Sequence, residues 1–203
     1  MIDKFLKAKH WQLFLLIFGI PMIFQFVIMG NFFANLGSVN GPEPSIIFNY
    51  MRLLPIIIIL FILFFFGWFW SIVTGLQKII PDEAKMKLIR FKIFFFIPLI
   101  YILFFSFFIG FIMNEFSDLT NAPQLNPGFI FGFIAVILPL HLFSMFCMFH
   151  SLYFVAKALK TAELKKEVGF PDFVLEFFLL WFYPVGIWII QPRINKIMEE
   201  QTR

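Results

Sequence analysis

The stretch Ile56-Ile-Ile-Ile-Leu-Phe-Ile-Leu-Phe-Phe-Phe66 decides the fold class. Consecutive hydrocarbon side chains leave no polar face for water at any backbone period, so the element carrying them is buried all round or lies in lipid. Its flanks extend the apolar run to a span from about Arg52 to Leu76. A helix of that length rises about 37 Å at 1.5 Å per residue, enough to cross a hydrocarbon core of about 30 Å. Composition says which environment applies. Of 203 residues 61% are hydrophobic and 14% charged, and the 35 Phe outnumber the 16 basic and 12 acidic residues together. Soluble domains carry about 25% charge, and a chain this short cannot hide so much apolar surface in one core. Lipid is therefore the solvent.

Working outward, the same criterion marks a first span at about 11–33, a second at 52–76, a third at 93–113 and a fourth at 129–156. The first is too long for the apolar region of a signal peptide, and no Ala-x-Ala cleavage pattern follows it, so it reads as a retained anchor. The Gly/Pro-rich stretch Asn35–Pro44 and the polar stretch Asn114–Pro123 are loops at one end of the bundle, and charged linkers at 77–92 and 157–172 lie at the other. The linker segment Asp82–Lys92 reads as a short helix, with Pro81 at its start, acids in its first turn and bases in its last. Lys157 to Val168 is expected to continue the fourth span as a helix leaving the membrane.

The last apolar segment, 173–190, is shorter, carries Glu176 near its start and has Pro184-Val-Gly186 in its middle. Charge bias bears on its topology. Neither loop, 34–49 nor 114–127, contains Lys or Arg. Placing the N-terminus, both linkers and the C-terminal tail together gathers all the basic residues except Arg52 on one side, which the positive-inside rule makes cytoplasmic. The expected architecture is an all-α integral membrane protein, one membrane domain over 1–203, with four transmembrane helices and a C-terminal re-entrant helical hairpin broken at Pro184–Gly186. Five transmembrane helices is the alternative.

Polar residues within apolar segments mark where function would reside, since each needs a partner or water. Arg52, His141, Gln191 and Arg193 are candidates for a polar path, although snorkelling to headgroups explains Arg52 without any function. Gly67, Ser71 and Gly75 form a small-residue face suited to close helix packing, read here as a contact between copies. Lys85, Lys87, Arg90, Lys165 and Lys166 form a candidate surface for a partner or for lipid headgroups. His141 and His150 fall on opposite sides of one helix, so they cannot hold one ion together, and a single Cys excludes a cysteine-cluster metal site. No metalloprotease, nucleophile-elbow, phosphate-loop or dinucleotide-binding signature is present, so no cofactor and no enzymatic activity are expected.

The C-terminal stretch Pro184-Val-Gly-Ile-Trp-Ile-Ile-Gln-Pro-Arg-Ile-Asn195 resembles a segment of small multi-pass bacterial membrane proteins. In size and span number the chain is similar to the membrane accessory subunits encoded beside RNA-guided RNases of type VI-B CRISPR systems. These resemblances imply a multi-pass protein of the bacterial inner membrane, an accessory of a defence system. The expected function is a non-enzymatic accessory or scaffold presenting basic cytoplasmic linkers to a protein or nucleoprotein partner, with membrane lipids and further copies of the chain as its other partners. An oligomeric channel, pore or small transporter is the alternative.

Overall fold

A computed structural model describes residues 2–36, 54–84, 86–115 and 127–201; Arg52, Lys85 and both loops opposite the linkers, apart from their first few helical residues, lie outside the described residues. Every regular element among the described residues is helical. Helix α1 is Ile2–Lys7, α2 is His10–Phe14, and a π-helical turn Leu15–Gly19 leads into α3, Ile20–Leu36. Helix α4 is Leu54–Leu76, α5 is Leu88–Glu115, α6 is Pro127–Leu164, α7 is Phe170–Trp181 and α8 is Tyr183–Glu200. Among the described residues, four stretches are long and apolar enough to cross a membrane: His10–Asn31, Pro55–Leu76, Leu88–Phe111 and Phe131–Leu164.

Local chemistry explains the boundaries. The Gln12 side chain accepts a hydrogen bond from the Lys9 backbone N–H at 2.9 Å, starting α2 after the break that follows α1. The π turn precedes Pro21, whose ring would crowd the Ile17 carbonyl in a regular helix. Here the Ile20 N–H reaches back to Leu15 O, widening the turn. Helix α6 ends at Lys165, whose φ of 53° is the left-handed conformation that closes helices. Asp172 then accepts from the Gly169 N–H at 2.8 Å to start α7.

Several expectations are corrected. The first linker is not a helix: Asp82–Ala84 makes one 3-10 turn, and regular helix resumes only at Leu88. Arg90 and Lys92 therefore lie in the first turn or so of α5, with Lys87 just before it, rather than at the end of a linker helix. The final hairpin breaks at Phe182, not at Pro184–Gly186. Pro184 sits in the first turn of α8, where its missing N–H costs nothing, and α8 runs on through Pro192 to Glu200. The expected continuation of the fourth span into a linker helix does occur, as far as Leu164.

Burial is uneven along the bundle. Trp68 and Phe69 of α4, Phe91 of α5 and Phe173 of α7, all near the basic end, are each fully enclosed. Towards the other end much apolar surface faces outward, and Phe104, Phe111 and Phe131 are 58%, 63% and 74% exposed. Apolar exposure on that scale suits hydrocarbon surroundings and no aqueous one.

Candidate functional site

The basic end contains two polar knots beneath the α7–α8 hairpin. Lys160 and Glu163 lie near the end of α6, Glu176 on α7 and Arg193 on α8. The Arg193 guanidinium donates from Nε to Glu163 Oε1 and from Nη2 to Glu163 Oε2, both at 2.6 Å, in a bidentate fork. Its Nη2 also donates to Glu176 Oε1 at 2.5 Å, and Lys160 Nζ donates to the same oxygen at 3.2 Å. Two cations thus neutralise two carboxylates across three helices. Burial pushes the Glu176 carboxyl up, but the hydrogen bonds from Arg193 and Lys160 outweigh it and hold the group below its ordinary value of 4.5. Arg193 is held above its usual range by its hydrogen bond to Glu163.

Gln191 is the second knot and is completely buried. Its Oε1 accepts from Trp68 Nε1 at 2.9 Å. Its Nε2 faces Phe5 O, Leu6 O and Ala8 O at 2.9, 3.3 and 2.9 Å, and Asn195 Oδ1 at 2.9 Å. Asn195 Nδ2 donates to Ala8 O at 3.2 Å. The last carbonyls of any helix lack internal partners, so one side-chain amide of α8 terminates α1 and ties the N-terminus to α4.

The candidate polar path is not joined among the described residues. Gln191 and Arg193 share α8 but serve different knots. His141 is exposed on α6, and its Nδ1 lies 3.1 Å from the Tyr101 hydroxyl of α5, a residue belonging to neither knot. The small-residue face is occupied within the chain: a Cβ added at Gly67 would lie 3.0 Å from the Phe5 ring, and one at Gly75 would clash with the Leu6 side chain. Ser71 is buried between them and donates to Gly67 O. The covering element is α1, which sequence reading missed because six residues are too few to show a helical period.

The basic surface divides in two. Lys165 and Lys166 are exposed on the turn between α6 and α7. Lys87 and Arg90 instead line a cleft of about 370 Å³ with His150, Tyr153 and Lys157 of α6. The His150 ring packs 4.1 Å from Phe94, and its Nε2 is buried without a hydrogen-bond partner. A larger cavity of about 590 Å³ between α1, α4 and α5 is apolar; its one hydroxyl, Ser71, is already engaged. No group of three or more His, Cys, Asp or Glu side chains among the described residues is placed to hold a metal ion.

Glu163 and Lys160 are the residues the sequence concealed. Nothing in a charged linker shows which charges turn inward, although Lys160 and Glu163 at i and i+3 mark a helical continuation. No protein-family model, curated protein or solved structure matches this chain.

Proposed function

We propose that the protein is a non-enzymatic scaffold of the bacterial inner membrane, an accessory that offers a basic cytoplasmic face to a protein or nucleoprotein partner. The observation that carries this reading is how the charges are divided. Arg193, Glu163, Glu176, Lys160 and Gln191 are spent on one another and on backbone carbonyls, so they tie helices together rather than line a passage. Lys78, Lys87, Arg90, Lys165 and Lys166 remain exposed at the same end. Such a patch attracts acidic surfaces and phosphates.

In this reading α7 and α8 form a re-entrant hairpin with both termini cytoplasmic. Tyr183, just past the break, packs against Phe61 and Phe65 of α4 at 5.9 and 5.2 Å and against Phe18 at 6.3 Å. Phe61 is fifteen residues from the basic end of α4, so the tip reaches about 22 Å along it. The tip backbone is hydrogen-bonded within the hairpin, from the Phe182 N–H to Phe178 O and from the Val185 and Gly186 N–H groups to Phe182 O, as irregular backbone at membrane depth requires. A Cys at position 203, with Cys147 replaced, would label from the cytoplasmic side; outside labelling would mean a fifth span.

The scaffold reading is tested by affinity purification from native membranes. A soluble partner should co-purify and be lost when Lys165 and Lys166 are changed to Gln. The channel reading has one observation in its favour, the exposed His141–Tyr101 pair on otherwise apolar helix faces, where a second copy would shield it. Proteoliposomes conducting ions under voltage, with conduction abolished by His141→Leu, would establish that reading and remove the first.

A further inference from the structure

The cleft between α5 and α6 holds charges that the fold leaves uncompensated. Lys87 and Arg90 stand at the N-terminus of α5, whose first turn contains no acidic residue. The amide groups there form the positive end of the helix dipole, so cations at this position add repulsion where an acid would ordinarily give relief. Lys157 of α6 lines the same cavity and lies 3.9 Å from Glu167, and Glu83 lines it too. Among the described residues that line the cleft, three cations against two carboxylates leave one positive charge. His150 Nε2 adds an unused polar atom at the wall.

Height along the bundle identifies the occupant. Lys87 immediately precedes the apolar stretch Leu88–Phe111, and Lys157 is the first charged residue after the uncharged run 129–156 of α6, so the cleft opens where charge first appears on two spans. That is headgroup level, and basic pockets between spans on the cytoplasmic side are suited to lipid phosphates. We propose that the cleft binds the phosphodiester of an anionic phospholipid from the adjoining leaflet, with Lys87 and Arg90 as its charge partners. One phosphodiester matches the single excess charge. This inference shares Lys87 and Arg90 with the scaffold reading, but that reading is tested by partner capture through Lys165 and Lys166 and this one by lipid retention, so either can fail without the other.

The test uses the full chain purified in mild detergent, delipidated in steps and examined by native mass spectrometry after loading with phosphatidylglycerol. The wild type should retain one such lipid. Lys87→Gln with Arg90→Gln should lower retention roughly 30-fold, at about fivefold per charge. Lys165→Gln with Lys166→Gln, the same charge change outside the cleft, should alter it less than about twofold, and Lys87→Arg with Arg90→Lys should keep it. Thermal unfolding gives the second arm: phosphatidylglycerol in the micelle should raise the midpoint of the delipidated protein, whereas phosphatidylcholine or inorganic phosphate should not. Equal loss in both glutamine pairs, no loss in the cleft pair, or an equal shift from phosphatidylcholine or inorganic phosphate would overturn the proposal.

Discussion

Gly186→Ala separates two opposed physical effects. Gly186 lies inside α8, where replacing Gly by Ala ordinarily stabilises a helix by about 1 kcal/mol. Here the added Cβ would clash with the Leu179 carbonyl oxygen and stand 2.6 Å from its carbon, across the hairpin. Both are backbone atoms, so no side-chain rotation relieves the clash, and α7 and α8 must part by more than 1 Å to restore an ordinary contact. The turn between them has little slack. The Phe182 N–H donates to Phe178 O at 2.9 Å, and the Gly186 N–H donates to Phe182 O at 2.9 Å. Parting the helices therefore moves the tip and draws Tyr183 off Phe65 and Trp181 off Phe149, whose ring centroids are 5.2 and 4.9 Å apart respectively. Overpacking costs typically 1–3 kcal/mol, and each lost ring contact adds about 0.5–1.5 kcal/mol. The net expectation is destabilisation by about 2 kcal/mol or more, roughly a 30-fold loss in the folded-to-unfolded ratio. Reversible unfolding from mild detergent into SDS, followed by tryptophan fluorescence, measures it. Gly132→Ala is the control, since a Cβ there meets nothing within 4 Å. If the two variants differ by less than about 0.5 kcal/mol, the close approach at Gly186 is not what shapes the hairpin.

Arg193→Met should cost about 3 kcal/mol in the same assay, because it leaves Glu163 and the 2%-exposed Glu176 with Lys160 as their remaining cation; stability within 1 kcal/mol of wild type would mean the fork is incidental. Glu176 is held below its ordinary value, so its contribution is present above about pH 4.5 and is lost as pH falls through its folded-state value. The wild type should accordingly weaken on acidification from about pH 6 to about pH 3, and Glu176→Gln should start weaker and flatten that slope; parallel pH profiles would exclude the mechanism. Gln191→Leu should strand the Trp68 N–H and the α1 carbonyls, costing about 2–3 kcal/mol and speeding amide hydrogen exchange in residues 2–8 ahead of the rest of the chain. Unchanged exchange there would show that α1 is held by Phe5 and Leu6 packing alone.

The composition and the uninterrupted run from Ile56 to Phe66 were sufficient for the helical class and for the four apolar stretches, because length and hydropathy are properties of single segments. The Phe182 break and the 3-10 turn at Asp82–Ala84 were less legible. Proline and glycine mark where a helix can stop, and Pro184 was equally acceptable as the first turn of a new helix. What tertiary structure alone decided is which polar groups meet. Arg193 finds Glu163 thirty positions away and Gln191 finds Phe5 at a distance of 186, pairings that carry no local period. The small-residue face of α4 was visible as a face, but only packing could show that the chain's own N-terminus fills it. Hydrophobicity assigns each segment its solvent, whereas directional bonds and steric contacts select neighbours, and these exist only once the helices are assembled.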